Sequence, residues 1–314
     1  MKVPASSMAS PNPTKHQHFV PLFYLKNFAD NDGYLDVLNI KEKRMAKRRP
    51  YQGLGYEYYY YAVNTGMPDD TSQQVEEWLK PTEDYLAKQL PRIIDVILQN
   101  QQIEDNDRYI LAVLMSMLWL RTPSMRNDIQ QTEDQMVEQI KRLHGTEYAN
   151  QLRSTDNITH LKFMVETLGF GGPGFANLFF SMKWKAYIAR GKEVFITSDS
   201  PVVEKFPPPT SFWGAHSFLE RNKYFALTPD ILFELTEPVG STKVRRKTIY
   251  EEDDDIVKTL NMILISGAQD YAYSGSRICL DQILAGRNNP GYLEKKYLEQ
   301  YEKPWAEYHA KMRT

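Results

Sequence analysis

Asp105-Asn106-Asp107-Arg108-Tyr109-Ile110-Leu111-Ala112-Val113-Leu114-Met115-Ser116-Met117-Leu118-Trp119-Leu120 is the most apolar stretch of this 314-residue chain. Its unbroken apolar part, roughly Tyr109 to Leu120, contains Ser116 and is well short of the ~20 residues that a membrane span requires. It predicts a buried helix around which other elements pack. Before it, Val75, Leu79, Leu86, Leu90, Ile93, Ile94 and Ile97 recur at helical spacing, with Pro81 and Pro91 expected to kink or divide that helix. After it, Ser124 is a candidate cap for a helix running to about Leu143 and ending at His144-Gly145. Further helices are expected over about 158–168 and 175–189, separated by the glycine-rich break Gly169 to Gly174. That break lacks the Lys-Ser/Thr of a phosphate-binding loop and reads as a helix–helix connection.

Strand signals lie on both sides of this helical middle. Early in the chain, Pro21 suits the first turn of a short helix carrying Phe19, Leu22, Leu25 and Phe28. Strands are then expected at Tyr34–Ile40 and Glu57–Val63, the second containing Tyr58 to Tyr61. Late in the chain, Glu193–Thr197, Tyr224–Leu227, Ile231–Leu235, Lys243–Ile249 and Tyr271–Tyr273 read as strands, with a proline-rich loop from Lys205 to Trp213. The acidic run Glu251–Asp255 opens a helix through about Leu264, and Arg277–Leu284 forms a short one. The fold class is α+β: a predominantly helical core with a small, mainly antiparallel sheet built from N-terminal and C-terminal strands. Residues 1–14 read as a disordered leader, 15–288 as a single domain, and 289–314 as a C-terminal amphipathic helix with Tyr292, Leu293, Tyr297, Trp305 and Tyr308.

Composition narrows the function classes. With 42% hydrophobic and 25% charged residues, the chain is of ordinary globular type. A formal net charge of −2 argues against a globally basic nucleic-acid coat. The single cysteine, Cys279, excludes an intramolecular disulfide and a cysteine-based zinc site. No signal peptide or membrane segment is visible, so a cytosolic location is the expectation.

His18-Phe19-Val20-Pro21-x-x-Tyr24-Leu25-x-x-Phe28 and Phe195-Ile196-Thr197-Ser198-Asp199-Ser200-Pro201-Val202 together resemble a bacterial domain-of-unknown-function family. Its members open on His-x-Val-Pro-Gln-x-Tyr-Leu-x-x-Phe and later carry Thr-Ser-Asp-Asn-Pro-Val. Glu76 and Glu83, Arg121 with Pro123, Leu227 with Pro229, and Asn261 extend the similarity over roughly residues 16 to 275. Leu22 stands where the family usually has Gln, and Ser200 where it usually has Asn. The resemblance implies a grouping and no activity.

The candidate chemistry rests on polar residues in unusual places. His18 could be a general base or a metal ligand, or could bond backbone at a helix end. Glu76 and Glu83 stand two helical turns apart and face the same way. With Asp199 at a strand end they could hold Mg²⁺ or Mn²⁺, or Asp199 could form an Asx turn before Pro201. Arg121 could stabilise phosphate charge, cap the last carbonyls of its helix, or pair with an acid such as Glu83. Lys41, Lys43, Arg44, Lys47, Arg48 and Arg49 place six cations in nine residues just before the tyrosines. That patch could meet nucleic-acid phosphates and stack bases, or be an exposed hairpin loop.

Two readings follow. In the first, His18, Arg121 and Asp199 are catalytic and Glu76, Glu83 and Asp199 bind the metal of a nuclease acting in defence or as a toxin, without an organic cofactor. In the second, the same residues form an internal hydrogen-bond network and the protein is a non-enzymatic module acting on a protein partner or a second copy. An open pocket favours the first and a closed network the second.

Overall fold

The computed structural model describes residues 15–61, 74–152, 158–168, 174–205, 221–238 and 243–288. The expectations for 1–14, most of 169–174, 206–213 and 289–314 lie outside the described residues. The first segment comprises His16–His18 (β1), a single turn Leu22–Leu25 (α1), Tyr34–Asn39 (β2), Arg44–Met45 (β3), Arg49–Pro50 (β4) and Tyr56–Tyr58 (β5). The helical middle runs through Gln74–Leu98 (α2), Asp105–Leu120 (α3), Pro123–His144 (α4), Thr146–Leu152 (α5), Ile158–Leu168 (α6) and Phe175–Ser181 (α7). The last third contains Lys183–Ala189 (β6), Thr197–Ser198 (β7), Val202–Lys205 (β8), Asn222–Thr228 (β9), Ile231–Thr236 (β10) and Arg245–Ile249 (β11). It ends with Asp254–Ser266 (α8), Tyr271–Ser274 (β12) and Arg277–Asn288 (α9).

The class is α+β. One sheet, ordered β3-β2-β12-β7, joins the N-terminal strands to the C-terminal ones, with β4 also paired to β2. A second sheet, ordered β11-β6-β10-β9-β8, is built entirely from the last third and is antiparallel except for the parallel β11–β6 pair. The antiparallel pair β1–β5 stands as a third, small sheet. α3 lies in the core as expected: Leu111, Leu114, Met115, Leu118 and Leu120 are fully enclosed. Charges near its start are absorbed too. Asp107 is bound by Arg92, and the Arg108 guanidinium stacks 4.1 Å from the Phe180 ring centroid.

Four sequence expectations are corrected. α2 is not divided at Pro81 or Pro91, which both lie on its exposed side. There the carbonyls that lose a helical donor can turn to water, so the cost is lower than in a packed helix. The cap of α4 is Thr122, not Ser124: its hydroxyl accepts from Met125 N at 3.3 Å, and Pro123 fills the first turn. The helix expected over 175–189 stops at Ser181, and Lys183–Ala189 is a strand with partners on both sides. Its alternation of Trp184, Ala186 and Ile188 with more exposed lysines has the period of a pleat. The strand expected over Glu57–Val63 ends at Tyr58, because Tyr59 takes a left-handed backbone (φ 54°) that swings Tyr60 and Tyr61 into the core.

Candidate functional site

Arg121 follows the last turn of α3, and its side chain is 1% exposed. Every part of it is engaged. Nε donates to the Tyr61 hydroxyl at 2.6 Å, Nη1 pairs with Glu83 on α2, and Nη2 donates to the His18 carbonyl. Its own carbonyl accepts the Tyr60 hydroxyl at 2.7 Å. Tyr61 donates its hydroxyl to the same His18 carbonyl, and its backbone N–H reaches Gln17 Oε1 at 2.7 Å. Arg126 closes the edge, donating to the Tyr60 carbonyl at 2.9 Å with its guanidinium 3.5 Å over the ring. Burial disfavours the Arg121 charge, but the Tyr61 hydroxyl and Glu83 more than restore it, and it stays protonated. Glu76 lies in the same field. Burial raises its carboxyl above the usual range, Arg121 opposes that rise and Glu83 adds to it.

His18 joins this cluster through its backbone. Its ring Nε2 lies 3.3 Å from the Gln52 carbonyl and its centroid 5.4 Å from that of Tyr56. Burial lowers the imidazole pKa, the Gln52 bond opposes this, and Arg121 lowers it further. His16 lies on the same face of the strand and stacks on the same ring, its centroid 4.5 Å from that of Tyr56.

Asp199 sits elsewhere. It is 3% exposed and its two oxygens accept three backbone N–H groups: Gln269 at 2.9 Å, Asp270 at 2.6 Å and Tyr271 at 2.9 Å. Its own N–H returns to the Tyr271 carbonyl at 3.1 Å. The carboxylate thus clamps the α8–β12 connection onto β7. Burial outweighs the three donors and pushes its pKa up to about 6. The trio Glu76, Glu83 and Asp199 is therefore not assembled: Asp199 is held by the backbone at the start of β12, Glu83 is paired with Arg121, and Glu76 lies in the field of both. Among the described residues no three His, Cys, Asp or Glu side chains converge to hold a metal ion.

The basic stretch borders an open cleft. A cavity of about 480 Å³ lies between the β1–β5 pair and the β2–β12 sheet, and its lining includes Arg44, Arg49, Tyr56, Tyr58, Asp199 and Tyr271. Gly55 holds its wall. It accepts the N–H groups of Phe19 and Val20, has φ 66°, and leaves no room for a Cβ, which would come 2.9 Å from Val20 Cβ. Several charges around the cleft are paired: Arg44 with Glu42, Lys41 with Asp270, and Glu57 with Arg126 at 3.5 Å. Arg48 pairs with Asp30 beside it. Lys43, Lys47 and Arg49 have no ion pair among the described residues. Arg44 and Arg49 reach the cleft lining, whereas Lys43, Lys47 and Arg48 do not.

Sequence reasoning missed the residue that joins the two motifs. The buried Tyr24 hydroxyl donates to the Ala226 carbonyl at 2.7 Å and bonds Thr197 Oγ1 at 2.8 Å, so the opening motif is fastened to the late one. Asn261 performs a related task. Its Oδ1 accepts from Ile196 N at 3.1 Å and its Nδ2 donates to the Val194 carbonyl at 2.8 Å. A polar group in a strongly apolar helix was the visible signal for Asn261, whereas a tyrosine in a hydrophobic motif gave none.

No curated protein and no solved structure matches the chain. No helix among the described residues is long and apolar enough to cross a membrane. The model of one family, described as "Protein of unknown function (DUF4238)", matches residues 16–277. That match covers the opening motif, the helical middle, both large sheets and the Asp199 clamp, and on it the chain belongs to this family of proteins of unknown function.

Proposed function

We propose that the protein is a non-enzymatic binding module for single-stranded nucleic acid, with the cleft as its phosphate- and base-contacting site. The observation that carries the reading is the joint lining of the cleft by Arg44 and Arg49 on one side and Tyr56 and Tyr58 on the other. Guanidinium groups take phosphate oxygens in forked geometry, and tyrosine rings stack bases without regard to sequence. The volume falls within the range of small-ligand sites. Tyr58 is 64% exposed, so its ring is presented to solvent.

The hydrolytic alternative draws less support. Arg121, Glu83 and Tyr61 satisfy one another, Asp199 spends three of its about four acceptor positions on amides, and Glu76 Oε1, buried without a hydrogen-bond partner, has no group of three ligands around it among the described residues. A general base or a ligand for Mg²⁺ or Mn²⁺ needs an open lone pair.

The test is fluorescence anisotropy of labelled single-stranded RNA and DNA at several salt concentrations, with Mg²⁺ present and strand integrity followed on gels. Saturable, salt-sensitive binding of intact strands is expected, and the Arg44→Ala/Arg49→Ala double variant should lower the logarithmic salt slope by about 1.4. No binding at low salt, or an unchanged double variant, overturns the reading. Cleavage that disappears in Asp199→Asn and His18→Ala proteins shown to be folded replaces it with metal-assisted hydrolysis.

A further inference from the structure

The wall of the cleft that carries Tyr56 and Tyr58 has a second row of rings. In the antiparallel β1–β5 pair, His16 stands opposite Tyr58 and His18 opposite Tyr56. Directly paired residues point to the same face of a sheet, and residues two apart share it. All four rings therefore lie on one face. Gln17 points the other way, is fully enclosed and accepts from Tyr61 N. The four-ring face is thus the outer one, and through Tyr56 and Tyr58 it meets the cleft.

The two histidines differ. His18 is half-buried, with Nε2 facing the Gln52 carbonyl at 3.3 Å. Burial and Arg121 both hold it towards the neutral form. His16 is exposed. Its ring lies flat on Tyr56, with centroids 4.5 Å apart and planes 11° from parallel. The Tyr58 ring meets it at 87°, with centroids 4.8 Å apart. His16 is thereby fixed against the two tyrosines of the cleft. Yet neither of its ring nitrogens bonds a described residue, and it makes no ion pair among them. Stacking uses the faces of an imidazole and leaves its in-plane N–H groups to a ligand. A protonated imidazole donates from both nitrogens and accepts from none, so the ligand group it suits is an anion.

The other charges around this face are in place already. Glu57, between the two tyrosines, lies 3.5 Å from Arg126. Glu83 and Arg121 act on His18. Lys15, next to His16 in the chain, is an exposed cation. Across the cleft, Asp270 is paired with Lys41 and Glu42 with Arg44. Asp199 gains a proton near pH 6, which lessens repulsion of an anion but brings it no new cationic contact.

We propose that His16 is a further contact of the bound strand, its imidazolium taking a backbone phosphate at the rim of the cleft, so that binding gains a charge contact as the pH falls. The proposal rests on the single-stranded nucleic-acid reading of the cleft. Histidine supplies the dependence because it is the side chain that ordinarily changes charge between about pH 8 and about pH 5.

The test is anisotropy titration of labelled single-stranded RNA over about 50–200 mM salt, at about pH 8 and about pH 5, with wild type, His16→Phe and His16→Lys. Each phosphate neutralised on a single strand adds about 0.7 to the logarithmic salt slope. The wild-type slope should therefore be steeper by about 0.7 at the lower pH, an extra loss of about 2.5-fold in affinity over that salt range. Phenylalanine keeps a ring on Tyr56 but carries no charge, so its two slopes should coincide. Lysine is charged throughout, so its slopes should coincide at the steeper value. His16 is exposed, and both variants should melt near wild type at each pH. A steepening that survives in His16→Phe assigns the proton to His18 or Asp199 and overturns the proposal. Equal slopes in a wild-type protein that binds overturn it too and leave the cleft reading standing. A protein that binds no strand at either pH overturns the cleft reading and this proposal with it.

Discussion

The Arg121 cluster and the cleft of the basic stretch use the same side chains for opposite ends. In the cluster, one guanidinium meets a carboxylate, a phenol and a carbonyl, and it is 1% exposed. In the cleft, Arg44 and Arg49 stand exposed beside tyrosines of which one is 64% exposed. The lesson is that arginine, tyrosine and acid in proximity specify nothing until their hydrogen bonds are counted. A buried, saturated set holds the fold; an exposed set at a cleft, with Arg49 free of an ion pair among the described residues and Arg44 held only by the exposed Glu42, is available to a ligand.

The sharpest way to break this contrast is to remove the hub. Arg121→Met should cost about 3–5 kcal/mol, because Glu83, Tyr61 and the His18 carbonyl are left without their donor. Urea denaturation measures it, and a loss below about 1 kcal/mol would mean the cluster is not structural.

The Asp199 clamp comes next. Asp199→Asn should cost about 1–3 kcal/mol, since an amide NH₂ must then oppose one of the three backbone donors. The effect has a pH signature. The folded pKa is raised to about 6, above the unfolded value near 3.9, so the folded protein gains a proton that the unfolded chain lacks. This group's contribution to stability therefore grows as pH falls from about 6 to about 4 and is lost as pH rises through 6. The gap between wild type and Asp199→Asn should widen over that window, and a gap constant with pH would contradict the assignment.

The cleft should behave in the reverse manner. Tyr58→Ala should weaken oligonucleotide binding by about 1–3 kcal/mol, the loss of one stacked base. Its stability should stay within about 0.5 kcal/mol of wild type, as for other exposed positions. The smallest effect belongs to Arg49→Ala, a few-fold weakening with a logarithmic salt slope lowered by about 0.7. Equal losses of stability and binding in either variant would erase the distinction between the two regions.

The parts of this architecture visible in the sequence were those set by local pattern. Asp105–Leu120 and Ile158–Leu168 were legible because apolar content and end signals agree. Lys183–Ala189 was not, since Trp184 and Tyr187 also continue the helical spacing of Phe175–Phe180. Only pairing with β10 and β11 decides for the strand. The site residues show the same divide. Glu83 was a visible partner for Arg121, the acid on a helix whose face could be assigned and the arginine at the end of another. The amides that fill Asp199 come from about 70 positions further on, and no local feature announces them. The left-handed Tyr59 was hidden within a run of four tyrosines, all of which favour a strand.

The Tyr24 hydroxyl has a consequence in time as well as in space. Its partners lie 173 and 202 residues downstream. During synthesis the opening motif emerges first and must wait while most of the chain is made before Thr197 and Ala226 exist to receive it. Fastening this motif therefore waits on a segment made much later, and until then its aromatic residues lack part of their native packing.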